Sequence, residues 1–185
     1  MTVRRVLVGN DAAGISRVLA DGEPPRSARA QATPGFTQAL VWSTAPIPSL
    51  ADALDPTQAV VSFVPGPGET RVISLSIPPD SVYADPHFDS AAADEEFARN
   101  SPGLAEHFEP DHPGVHRTPT VDYAVVVSGE LWLELDDEEI HLYTGDVAVQ
   151  IGSRHAWRNR SNAPAQLFGV LVGGLETSPT PTAEA

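Results

Sequence analysis

An all-β fold, built as a barrel or sandwich, is what this sequence predicts, and three observations carry it. Five short apolar runs are read between residues 120 and 174, a stretch punctuated by turn residues at Ser128-Gly129, Asp136-Asp137, Thr144-Gly145, Gly152-Ser153 and Asn162-Ala163-Pro164. Closely spaced runs with turn residues between them favour a barrel or sandwich over alternating helices and strands. The chain holds 18 Pro and 14 Gly in 185 residues, a composition of many turns and few long helices. A single stretch, 89–110, has a helical character.

In chain order, residues 3–8 and 15–20 read as two short strands around Asn10-Asp11-Ala12-Ala13-Gly14, a turn-forming sequence. Residues 23–35 read as a loop. Residues 36–44 read as a third strand with Trp42 buried, and 45–58 as irregular, Pro-broken chain. From Thr70, alternation puts Arg71, Ile73, Leu75 and Ile77 on one face and Val72, Ser74 and Ser76 on the other, until Pro78-Pro79 stops the strand. Asp89 or Ser90 caps the helix, which restarts at Ser101-Pro102 and forms an insertion between strands. Residues 1–175 make one domain by this reading, and the Pro/Thr-rich 176–185 a disordered tail.

Composition narrows the function classes. Eleven basic residues stand against 25 acidic, a net charge of −14. Such a surface repels phosphate backbones and anionic bilayers, so neither nucleic acid nor membrane is expected as a partner. No apolar run reaches the roughly 18 residues of a spanning helix. The polar start does not read as a signal peptide. The absence of Cys removes disulfides and thiolate chemistry. A cytoplasmic protein is the expectation.

The chemistry-bearing residues lie in two segments. His116, Thr118, Thr120 and Asp122 fall in phase on one strand, and His155, Trp157 and Asn159 on another. If both faces point into one barrel, two imidazoles and a carboxylate converge. That set suits non-haem iron, and also zinc or manganese. Asp is shorter than Glu by about 1.3 Å of reach on bond-length grounds, so Asp122 either approaches closely as a ligand or orients an imidazole from behind. A metal-free alternative makes His116 or His155 a general acid or base tuned by Asp122.

Segments 114–129 and 145–159 resemble the two motifs of the cupin family. The first reads G-x5-H-x-H-x3/4-E-x6-G in the family. Here His116, Thr118, Asp122 and Gly129 keep its spacing, with Thr118 in place of the second His, Asp122 in place of Glu and Pro110 in place of the leading Gly. The second is matched by Gly145, Gly152, His155 and Asn159, with Gln150 where Pro is usual and one residue fewer after Gly145. The resemblance implies a cupin double-stranded β-helix, a jelly-roll-like barrel with the helical insertion ahead of the first motif. It also implies a divalent metal (Fe, Mn, Ni or Zn) on His116, Asp122 and His155. Thr118, Trp157 and Asn159 would line the pocket. The pattern around these residues further resembles small cupins associated with secondary metabolism.

The plainer readings stand beside these. Asn159 is expected to bond backbone, Trp157 to be wall or core, and Tyr123 to face outward by alternation. Asp136 to Glu139 reads as a solvated hairpin tip with His141 exposed opposite it, and Arg154, Arg158 and Arg160 as an outer row of ion pairs or an anion contact. His107 and His112 are candidates for a lid. The expected activity is that of an enzyme on a small oxygenated molecule, a metal-assisted lyase or dehydratase. Alternatives are an iron-dependent dioxygenase and a metal-free binding cupin without turnover. Exposed apolar strand edges lead to the expectation of a homodimer.

Overall fold

The computed structural model describes residues 3–50 and 54–175. The proposed tail 176–185 lies outside the described residues. Eleven strands are seen among them: β1 (Arg5–Asn10), β2 (Ser16–Gly22), β3 (Arg26–Arg29), β4 (Thr37–Thr44), β5 (Thr70–Ile77), β6 (Thr120–Ser128), β7 (Glu130–Glu134), β8 (Glu139–Tyr143), β9 (Val147–Ile151), β10 (Ala156–Arg158) and β11 (Ala165–Gly173). One α-helix, α1 (Ser90–Asn100), lies between β5 and β6. This is the expected all-β fold with one helical insertion.

Six strands form the main sheet in the order β3-β4-β5-β11-β6-β9, and three form a second sheet in the order β10-β7-β8. All pairings are antiparallel. β11 sits mid-sheet and shows the clearest alternation: Ala165, Leu167, Gly169, Leu171 and Gly173 are buried, and the residues between them half-buried. Its register sets Leu171 against Arg71, Gly169 against Ile73, Leu167 against Leu75 and Ala165 against Ile77. The four residues expected on one face of β5 therefore do share the inward face.

The core joins the two sheets. Leu131 of β7 packs with Ile77, Ala124, Val126, Ala165 and Leu167 of the main sheet, and Leu142, Ala148 and Trp157 lean against this cluster. Leu40, Phe63, Ile73 and Leu171 form a second cluster. Arg71 is buried between the strands and the 62–69 turn. Its guanidinium donates to the Ser62 and Thr70 carbonyls, to Ser43 Oγ and to Glu69, so that the buried charge has four hydrogen bonds, one of them to a carboxylate. Where β11 ends, Gly173 lies so close to Gly66 that a Cβ there would stand 1.9 Å from the Gly66 carbonyl oxygen.

Three expectations are corrected. The loop 23–35 contains a strand, β3, which pairs with β4 despite the flanking prolines because Arg26 to Arg29 supply a proline-free edge. Six strands, not five, follow residue 119, because the segment after Gly152 contributes the short β10. Trp42 is half-buried, with the Arg5 guanidinium 5.8 Å from its ring centre.

The helix begins where capping chemistry sets it. The Asp89 side chain accepts the Ala92 N–H at 3.0 Å, one of the four donors that have no intrahelical partner. Glu96 on α1 accepts the Gln31 and Ala32 N–H groups, and Ser101 Oγ donates to the buried Gln38. These bonds fasten the insertion across the end of the main sheet.

Candidate functional site

Just before β6, the chain meets the segment that leads into β10 along a single rung. His116 N–H donates to the His155 carbonyl at 2.9 Å, and His155 N–H to the His116 carbonyl at 3.0 Å. The two imidazole centres lie 4.3 Å apart, tilted by 53°. His155 is buried and His116 partly so.

Each ring is held by a second bond. His116 Nδ1 lies 3.1 Å from the Gly114 carbonyl, and His155 Nδ1 lies 3.0 Å from the Ser153 carbonyl. A carbonyl oxygen only accepts, so Nδ1 carries the proton in both rings. In the neutral imidazole Nε2 is then left as a bare lone pair. Burial and the neighbouring His155 push the His116 imidazole down to about 4, despite the opposing Gly114 bond. Burial also lowers His155. Two neutral imidazoles with the same tautomer therefore stand side by side at neutral pH.

Their walls come from both flanks. Phe108 stacks on His116 with centres 4.3 Å apart and 14° between planes. Phe97 of α1 meets Phe108 edge-on, and Phe36 meets Phe97. An aromatic file thus runs from the insertion to the imidazole. Trp157 meets His155 edge-on at 6.2 Å while leaning on the core. His107 is close enough for its charge to act on His116. His112 is exposed, with its Nδ1 3.1 Å from a Glu109 carboxylate oxygen.

Asp122 lies on β6 and Thr118 just ahead of it. Asp122 faces inward in phase with Ala124 and Val126, opposite Gln150 on β9 and Leu171 on β11. Its Oδ1 is buried with no hydrogen-bond partner, as is Gln150 Nε2. Burial raises the Asp122 carboxyl above the usual carboxylate range, against a lowering contribution from Thr120. Thr118 is buried and its hydroxyl bonds that of Thr120 at 2.7 Å. Among the described residues no three His, Asp or Glu side chains are gathered so as to hold a metal ion. The two imidazoles have the tautomer that metal-binding histidines show, and Asp122 is not gathered with them into such a group.

Other expectations have specific outcomes. Asn159 is completely buried and its Nδ2 donates to the Ile77 and Ala163 carbonyls, a backbone clamp between β5 and the turn before β11. Tyr123 faces outward, 46% exposed. The 136–139 tip is exposed. The three arginines are paired, Arg154 with Glu109 and Asp136, Arg158 with Glu134, and Arg160 with Glu139. His141 corrects the expectation of exposure. It is half-buried, stacked on Trp132 at 3.9 Å and bonded to Glu130, because β8 places it directly opposite Trp132. Phe108 and Gln150 were not singled out by the sequence as site residues. The signal for Gln150 was a polar residue at a motif position where Pro is usual.

Residues 105–172 match the family described as Cupin domain. The chain is similar to Oryzines biosynthesis cluster protein J of Aspergillus oryzae, 54% identical over 73 residues that cover 37% of this chain and 40% of that protein. It is also similar to the Cupin-domain-containing oxidoreductase virC of Hypocrea virens, 37% identical over 62 residues, 31% of this chain and 32% of that one. The chain thus spans less than half the length of the curated relatives it matches. Among solved structures, it is similar to a sugar phosphate isomerase from a cupin superfamily of Silicibacter pomeroyi, with 15% identity, a TM-score of 0.40, and coverage of 76% of this chain and 61% of that one. No helix of the described residues is long and apolar enough to cross a membrane.

Proposed function

Taking as premise that the chain is a cupin-superfamily protein, with its cupin domain over residues 105–172, we propose that it is an enzyme acting on a small oxygenated organic molecule, with His116 and His155 as its acid–base pair. The observation that carries this reading is the shared tautomer: both Nδ1–H groups donate to backbone carbonyls, and both Nε2 lone pairs are available. The relative named from a biosynthesis cluster supports a small-molecule setting.

The chemistry follows from the pair. A neutral Nε2 accepts the proton from a carbon next to a carbonyl, and the electron pair left behind forms a carbon–carbon double bond as the β-carbon–oxygen bond breaks. The proton passes from imidazolium to the departing hydroxyl, which leaves as water. The second imidazole, 4.3 Å away, resists a second positive charge and so keeps the pair at one proton. The reaction class is a lyase or dehydratase. The test is a panel of β-hydroxy carbonyl compounds followed by the absorbance of the conjugated product. Turnover lost in both His116→Ala and His155→Ala supports the proposal, and turnover intact in either single variant overturns it.

A second reading, metal-assisted chemistry including that of an iron-dependent dioxygenase, is favoured by the same free Nε2 atoms and by the oxidoreductase name of one relative. Elemental analysis of protein purified without chelator separates the two. About one divalent ion per chain, lost in His155→Ala, supports the second reading.

The partner by this proposal is a small molecule. A second copy of the chain is proposed to cover the outer face of β9, where Val147, Val149 and Ile151 are exposed.

A further inference from the structure

Within the barrel, β6, β9 and β11 lie side by side, and their inward residues can be followed rung by rung. One rung carries Ala148, Ala124 and Gly169. The next carries Gln150, Asp122 and Leu171. Two alanines of the packed core and Gly169 therefore adjoin two polar side chains that stand directly opposite one another.

Those two polar groups are unusual for an interior. Gln150 is 95% buried, with 5% of its surface exposed, and its Nε2 has no partner. Asp122 Oδ1 is likewise buried and unpaired. The two do not bond each other. A buried polar group left unpaired is costly, and native interiors rarely keep one without a use. By contrast, the buried polar residues Gln38, Thr118 and Asn159 are all bonded. The unpaired atoms are complementary, an amide N–H donor beside a carboxyl oxygen.

We propose that Asp122 and Gln150 form a receptor for a ligand presenting a donor and a carbonyl oxygen side by side, as a hydroxy amide or hydroxy carbonyl compound does. Gln150 Nε2 donates to the carbonyl and Asp122 Oδ1 bonds the neighbouring hydroxyl or N–H. This rests on the small-molecule reading above and adds the part of the ligand that is recognised. It also gives Asp122 a role that requires no gathering with the histidines.

Lactamide, which carries hydroxyl, carbonyl and amide on adjacent atoms, is the probe, and N,N-dimethylacetamide, an acceptor without a donor, is its control. Both are titrated into isotope-labelled protein while the Gln150 side-chain amide signals are followed, these being the pair missing from Gln150→Met. Lactamide is expected to shift them at a concentration at least about tenfold below the control, as a buried hydrogen-bonding site discriminates. Asp122→Val combined with Gln150→Met is expected to abolish saturation transfer to lactamide while leaving the melting temperature equal or higher, since two unpaired polar groups are removed. Equal response to both compounds overturns the receptor, and so does a lowered melting temperature, which would mean that the pair supports the fold. His155→Ala separates this from the acid–base proposal. Turnover intact there sinks the histidine chemistry and leaves the receptor standing on the probe data. Lactamide binding unchanged by the double substitution sinks the receptor and leaves the histidines untouched.

Discussion

His116 and His155 exchange both backbone hydrogen bonds, at 2.9 and 3.0 Å, although neither lies within a strand of the two sheets. This isolated rung fixes the imidazoles by main-chain geometry, so their separation does not depend on side-chain packing alone. The consequence for acid behaviour is direct. The folded chain holds His116 down at about 4, whereas its ordinary value is 6.5. The unfolded chain therefore binds the proton first. The stability this group contributes is complete above pH 6.5 and is lost as pH falls through about 4. His155 is shifted the same way. The melting temperature is expected to fall steeply between those limits, and His116→Gln to flatten the fall. Thermal melts at half-unit steps of pH check this, and identical profiles for the two proteins would contradict it.

Phe108 shields His116 through a stacked contact at 4.3 Å. Phe108→Ala admits water to the ring, so the His116 pKa is expected to rise toward its ordinary value. The half-buried position limits the stability cost to about 1–3 kcal/mol. Titration of the imidazole C–H signals by NMR reads the first effect, and urea unfolding the second.

Leu131 is fully buried where the two sheets meet. Leu131→Ala should destabilise the fold by about 2–5 kcal/mol, through lost transfer energy and the cavity left behind. Equilibrium urea unfolding gives the value. A loss below about 1 kcal/mol would show that the sheets close over the gap.

Val149 on β9 is 58% exposed, flanked by Val147 and Ile151. Light scattering after size exclusion should give twice the chain mass of 19.6 kDa. Val149→Lys should give one chain mass with an unchanged melting profile, because the residue is exposed in the single chain. A monomer in the unsubstituted protein removes this part of the proposal.

Much of the fold was legible because strand alternation is a local signal. Alternation puts Arg71, Ile73, Leu75 and Ile77 on one face from sequence alone, and the turn residues around Gly129 and Gly145 mark strand ends. The rung between His116 and His155 followed from motif spacing only in outline. Other features depended on register, which alternation does not give. Asp122 opposite Gln150, His141 opposite Trp132, and Phe108 over His116 are pairings across turns and between strands, set by register and not by the pattern of either segment alone. β3 was missed because its four residues are too few to show a period against the prolines beside them.

Gly173 has no room for even one carbon beyond its backbone, with the Gly66 carbonyl where a Cβ would stand. The obstacle is main chain on both sides, so no rotamer change can relieve it. In a library of all single substitutions, Gly173 should therefore tolerate no replacement, and alanine should do as badly as tryptophan. Position 66 differs, because a Cβ there meets only the end of the Glu69 side chain. Two glycines in contact thus carry unequal mutational tolerance, and the order in which their variants drop out of such a library would report how tightly the end of β11 closes on the 66–69 turn.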